Sequence, residues 1–211
     1  MKYDSLIFDL DGTLWNSSKG ILEAWRRVLQ GHQEIEKEIT ADMLAACFGQ
    51  TVDRIAAVYF PELPLEQSLA LMEECGRVEN QVLSEIGGEL YPGVIQTLEI
   101  LSRQIPLFIV SNCQAGYIES FLTGNHTAVY FKDHECIGVT GLSKGENIRL
   151  IIERNGLKNP AYIGDTQSDA DAAAAAGIPF IYASYGFGSV KCYDHILTAF
   201  AGLEALVCGE I

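Results

Sequence analysis

Ser5-Leu6-Ile7-Phe8-Asp9-Leu10-Asp11-Gly12-Thr13-Leu14 is the stretch on which the fold turns. The run up to Phe8 is apolar and stops at Asp9. It is too short for a helix and suits a strand buried on both faces, as in a parallel sheet. The pattern recurs. Pro106 to Val110 stops at Ser111, Ala161-Tyr162-Ile163 stops at Gly164-Asp165, and Pro179 to Ala183 follows Gly177. A weaker run spans Ala128 to Phe131.

Helical patterns lie between these runs. Pro92 stands at the start of a helix to Leu101, with Val94, Ile95, Leu98 and Leu101 on its apolar face. Ser143-Lys144-Gly145-Glu146 reads as a capping box opening a helix that Gly156 closes. Ser168 is the expected cap of the alanine-rich helix that Gly177 ends. Strands alternating with helices predict an α/β fold with a Rossmann-like, doubly wound parallel sheet.

Residues 16–88 break the rhythm and read as helices only. Ile21, Leu22, Trp25, Val28 and Leu29 form one face. Thr40 to Phe48 and Thr51 to Phe60 read as short helices, and Pro64 to Ile86 as a long one. The expected organisation is a core of residues 1–15 and 89–211 carrying an all-helical cap of residues 16–88, hinged near Asn16 and Gly88.

The chain has 211 residues, a net charge of −14 and 48% hydrophobic residues. The apolar fraction excludes a disordered chain. The acidity argues against nucleic acid or an anionic membrane as partner. It also means that any phosphorylated substrate needs local positive charge at its site. The six cysteines, Cys47, Cys75, Cys113, Cys136, Cys192 and Cys208, form no CxxC pair and suit a reducing compartment. With no apolar run long enough to span a membrane and no leader pattern at Met1, a cytoplasmic protein is expected.

Ligands of open α/β sheets bind beyond the carboxyl ends of the strands. Those ends carry Asp9 and Asp11, Ser111 and Asn112, and Asp165 through Asp169. Carboxylates converging on one rim repel each other without a cation. A hard divalent ion with oxygen ligands fits, and magnesium is the expected one. Singly, each residue has an ordinary explanation. Asp11-Gly12 is a turn signal, Ser111-Asn112 can cap a helix, Lys144 is an exposed lysine, and Asp169 is a first-turn carboxylate. Those explanations do not account for the whole set.

The set resembles the four signatures of the haloacid dehalogenase-like hydrolases. Asp9-Leu10-Asp11-Gly12-Thr13 is similar to the first, Ser111 with Asn112 to the second, Lys144 to the third, and Gly164-Asp165 through Asp169 to the fourth, in the family's order. The resemblance implies that Asp9 is a nucleophile forming an acyl phosphate, and that Asp11 is the general acid and then base. Family members that cleave carbon–halogen bonds lack this second aspartate, so it implies phosphatase chemistry. It implies that Ser111 and the Asn112 backbone bind the phosphoryl oxygens, and that Lys144 neutralises charge and positions Asp9. It further implies that Asp9, the Asp11 carbonyl and Asp165 bind magnesium. Asp169 would act through water or by orienting Lys144.

An inserted helical cap, with the ending Tyr185-Gly186-Phe187-Gly188, is similar to the branch of phosphoglycolate phosphatases and β-phosphoglucomutases. This implies a small phosphorylated metabolite, with phosphoglycolate as a candidate, and a monomer or homodimer. Trp15, Asn16, Gln50, Thr51 and Arg54 are placed toward the substrate from the cap, with Arg54 paired to a substrate carboxylate, while Trp15 and Trp25 suit packing better than ligand contact. Asn16 and Gly145 depart from the branch, where Asp and Pro are frequent. A sugar phosphomutase and a non-catalytic binding protein on the same fold remain as alternatives.

Overall fold

Strand β1 (Ser5–Phe8) runs between β4 (Leu107–Ser111) and β6 (Pro160–Gly164), parallel to both. With β5 (Phe131–Cys136), β7 (Phe180–Ala183) and β8 (His195–Leu197) it forms a six-stranded parallel sheet, ordered β5-β4-β1-β6-β7-β8. This is the α/β class expected. The structure is a computed structural model and describes residues 2–32, 35, 38–40, 43–44 and 50–209.

Alternate strand residues feed two apolar layers, because successive side chains point to opposite faces. Ile7, Phe108, Val110 and Tyr162 pack on one face under α7 (Lys144–Asn155) and α8 (Gln167–Ala176). Leu6, Phe8, Leu107, Ile109 and Ile163 pack on the other, with α4 (Val94–Ser102), α5 (Tyr117–Gly124) and α9 (Leu203–Cys208). The remaining core helix, α6 (Ile137–Thr140), is a single turn after β5. Phe8 meets the rings of Phe131 at 6.2 Å and Phe200 at 5.9 Å.

The segment between the first two core strands is helical as expected in its described part. It contains α1 (Ser18–Leu29), α2 (Val52–Tyr59) and α3 (Leu65–Ile86), with α3 packed along both α1 and α5. Trp25 meets Tyr59 edge-on at 5.0 Å, which seals α1 to α2. The helix expected over Thr40 to Phe48 lies mostly outside the described residues. At the root of the segment, β2 (Trp15–Asn16) and β3 (Glu89–Leu90) pair antiparallel, Trp15 against Leu90 and Asn16 against Glu89.

Three local expectations are corrected. Residues Ala128–Tyr130 form a 3-10 turn, and the strand begins at Phe131 and runs through Lys132, Asp133, His134 and Glu135. As an edge strand, β5 has a neighbour on one side only and tolerates polar residues. The alanine-rich helix is capped by Thr166, whose side chain accepts from the Asp169 backbone N–H, while Ser168 lies inside it. Pro92 lies outside α4, whose cap is Gly93 in the left-handed region. The capping box of Ser143 and Glu146 and the Gly156 and Gly177 C-caps are as expected.

Candidate active site

Because β1, β4 and β6 are adjacent and parallel, their carboxyl ends bring Asp9, Ser111 and Asp165 to one rim. Past Asp9 the chain turns tightly: the Leu14 and Thr13 N–H groups donate to the Leu10 carbonyl, and Gly12 sits at φ 81°. Only glycine fits there, since a Cβ would lie 2.2 Å from Asp165 Oδ2.

Lys144, first residue of α7, is buried and donates to Asp9 Oδ1 at 2.9 Å and to Asp169 Oδ1 at 2.6 Å. Burial opposes the lysine's charge, but Asp169 and Asp9 outweigh it and hold its pKa well above the usual value. The second Asp169 oxygen accepts from the Thr166 N–H and hydroxyl at 2.9 and 2.7 Å and from the Asp165 N–H at 3.2 Å. Asp169 therefore orients Lys144 while closing the α8 capping box.

Asp11 faces the cavity. It accepts from the Ser17 hydroxyl, and the Tyr117 hydroxyl lies 3.0 and 3.1 Å from its two oxygens. Burial, and the charges of Asp9 and Glu79, push its carboxyl up to about 7, although the Ser17 and Tyr117 hydrogen bonds act against them. Asp9 is pushed up to about 6, by burial first and by Asp169, with Lys144 opposing.

Oxygens of Asp9, Asp165 and Asp169 lie within 4.8 Å of one another. Asp165 Oδ2 accepts from the Phe187 and Gly188 N–H groups at 2.7 and 3.2 Å, but its buried Oδ1 has no hydrogen-bond partner. Burial and the charges of Asp169 and Asp9 raise its pKa to about 8. A buried Asp165 oxygen without a donor, beside the Asp9 carboxylate, is a donor set that a small hard cation satisfies, while both Asp169 oxygens are taken by Lys144 and the α8 cap. The residues fit magnesium.

A cavity of about 920 Å³ opens over this rim. Asp9, Asp11, Ser111 and Asn112 line it from below, and Gln50 and Thr51 from the helical segment. The other sequence candidates lie elsewhere. Arg54 is exposed on α2, its guanidinium 3.4 Å from Gln50 Oε1, and is not part of the lining. Trp15 is fully buried against Tyr117 and Phe121. Asn16 turns back, its side-chain oxygen accepting from the Ser18 N–H at 3.0 Å.

Four contributors escaped the sequence reading: Ser17, Tyr117, Glu79 and Thr166. Thr166 was open to discovery, since Thr166-Gln167-Ser168-Asp169 has capping-box spacing. Tyr117 and Glu79 reach the site through tertiary contacts that carry no local pattern, and Ser17 through the turn that follows Asp11.

The comparisons with known proteins agree with this geometry. Residues 6–183 match the family model described as haloacid dehalogenase-like hydrolase. A phosphoglycolate phosphatase of Photobacterium profundum is 28% identical over 96% of this chain and 94% of its own. One of Rhodobacter capsulatus is 29% identical over 87% and 85%. A haloacid dehalogenase-like hydrolase from Bacteroides fragilis superposes with a TM-score of 0.80, covering 96% of this chain and 100% of its own at 28% identity. With the family model spanning most of its length, the chain belongs to the haloacid dehalogenase-like hydrolases, as one of the family's phosphatases.

Proposed function

We propose that the protein is a magnesium-dependent phosphomonoesterase acting on a small metabolite through a phosphoaspartate on Asp9. The observation that carries this reading is the placement of two aspartates in different environments on one tight turn. Asp9 is fixed by Lys144, whereas Asp11 is buried between the hydroxyls of Ser17 and Tyr117, and burial raises its carboxyl above the usual range.

The roles follow from that difference. An Asp9 oxygen attacks phosphorus as the ester P–O bond breaks, and the Asp11 carboxyl gives its proton to the departing alkoxide. Asp11, now a carboxylate, takes a proton from a water that attacks the same phosphorus. The bond to Asp9 breaks, and inorganic phosphate leaves with both aspartates restored. Ser111 and the Asn112 backbone hold the phosphoryl oxygens, and Lys144 offsets their charge. Magnesium, held by Asp9, Asp165 and the Asp11 carbonyl, would supply further charge neutralisation at the phosphoryl group.

Residues 16–88 serve as a cap that closes over this chemistry and excludes water. The antiparallel pairing of β2 with β3 and the shared walls of the cavity support that role. Phosphoglycolate is the substrate named for the curated relatives and the reference compound for assays.

The test is phosphate release from phosphoglycolate, sugar phosphates, nucleoside monophosphates and an activated aryl phosphate, with magnesium and then with chelator. Metal-dependent release that Asp9→Asn abolishes is expected. No release from any ester would overturn the reading. Isomerised hexose phosphate without free phosphate would establish a mutase.

A further inference from the structure

Glu79 is an ionisable side chain buried in α3. Its Oε2 accepts from Trp25 Nε1 at 2.8 Å and its Oε1 from Gln114 Nε2 at 3.3 Å. Gln114 follows Ser111, Asn112 and Cys113 by one step, so the carboxylate stands over the loop that receives the phosphoryl group. The neighbouring Asn80 fixes this approach, donating to the Ala115 carbonyl at 2.8 Å. Glu79 lines the cavity together with Asp9 and Asp11, and its charge acts on both Asp11 and Tyr117.

A structural role alone does not require a carboxylate here. Trp25 Nε1 needs one acceptor, which a glutamine or a backbone carbonyl supplies without burying a charge. Each Glu79 oxygen has one protein donor and retains capacity for another. The charge on the walls points the same way. Asp53, Glu73, Glu74 and Glu79 line the helical side of the cavity, where Arg77 is the one cation among the described residues and is exposed. Arg54, the expected partner for a substrate carboxylate, lies outside.

We propose that Glu79 selects the leaving group, accepting a phosphate ester whose alcohol carries a hydrogen-bond donor, hydroxyl or ammonium, and rejecting one whose alcohol carries a carboxylate. This rests on the phosphatase reading above. A donor group satisfies the remaining lone pairs of a desolvated carboxylate, whereas a second carboxylate meets like charge with little solvent to screen it.

The experiment measures kcat and KM for glycerol 3-phosphate, phosphoethanolamine, phosphoglycolate and an activated aryl phosphate, in the full-length protein and in Glu79→Gln. In the unmodified protein, at least one donor-bearing ester should exceed phosphoglycolate in kcat/KM by about tenfold or more, the worth of one charge-assisted hydrogen bond. Which of the two leads tells hydroxyl from ammonium. In Glu79→Gln that ratio should fall by about tenfold, mainly through KM. The ratio within one preparation is independent of how much of the variant is folded, and glutamine keeps an acceptor for Trp25. Phosphoglycolate hydrolysed as well as or better than both donor esters would overturn the inference, as would a ratio unchanged in Glu79→Gln. Release from the aryl phosphate in either case would leave the phosphatase reading standing. No release from any ester would overturn both.

Discussion

The Tyr117 hydroxyl lies 3.0 Å from Asp11 Oδ2 and 2.9 Å from Ser17 Oγ, so a helix after β4 holds the side chain expected to act as acid and base. This hydrogen bond lowers the Asp11 pKa against the burial that raises it to about 7. In Tyr117→Phe the Asp11 pKa should rise. The phosphorylation step needs Asp11 protonated, so kcat/KM falls as pH rises through that pKa. The alkaline limb should therefore move upward, by roughly half to one pH unit for one hydrogen bond. A pH profile with an unmoved limb would separate Tyr117 from Asp11.

Asp11→Asn removes the proton donor and the later base together. Turnover of an alkyl phosphate should fall by roughly 10²–10⁴-fold. The first step with an activated aryl phosphate should suffer less, because its leaving group needs no proton. Acid quench and peptide mapping should then find phosphate on the peptide carrying Asp9. Phosphate absent from that peptide, with the alkyl ester still turned over, would remove Asp9 as nucleophile.

The Glu79 carboxyl is raised from 4.5 to about 7, chiefly by burial, while Trp25 and Gln114 act in the opposite direction. The folded protein thus holds this proton more tightly than the unfolded chain. Stability is unaffected by Glu79 below the usual glutamate pKa of 4.5, falls as pH rises from there to about 7, and levels off above it. The full cost is of the order of 3 kcal/mol. Glu79→Gln should match the parent in thermal midpoint near pH 4 and exceed it near pH 8. Equal midpoints at both pH values would deny the buried charge.

Asp165 is raised to about 8 by burial and by Asp169 and Asp9. A cation that binds its ionised form must displace a proton below that pH, so magnesium affinity should climb from pH 5 to pH 8. Calorimetry in two buffers of different ionisation enthalpy should register proton release, and magnesium should raise the thermal midpoint more at pH 8 than at pH 5. Asp165→Asn should abolish the magnesium response. A response that survives would place the cation elsewhere.

The sequence made the sheet's centre plain and left its edges obscure, for one physical reason. Strands β1, β4, β6 and β7 are covered on both faces, so Leu6, Ile7 and Phe8, or Ala161, Tyr162 and Ile163, read as unbroken apolar runs. The edges are β5 and β8. Asp133, His134 and Glu135 in one, and the brief His195–Leu197 in the other, carry no such signal. The rim residues were legible because parallel strands deliver them to one end in chain order. Tyr117 and Glu79 were not, because only the packing of α5 and α3 brings them near Asp11. Arg54 stands exposed beside Gln50 and outside the cavity lining, a placement that periodicity alone does not give, since it does not say which side of an eight-residue helix meets a cavity.

At the root of the helical segment, Trp15 is paired with Leu90. Their Cα atoms are therefore about 5 Å apart, as partners in an antiparallel ladder are. The chain departs from the sheet and comes back to it at a single point, after more than seventy residues. A short turn could join those two positions directly and leave β1 and α4 where they are. The insertion is thus exchangeable only in part: helices that line the cavity can be traded for others, but Ser17, which holds Asp11, and α3, which packs along α5, must stay for the aspartate rim to keep its geometry.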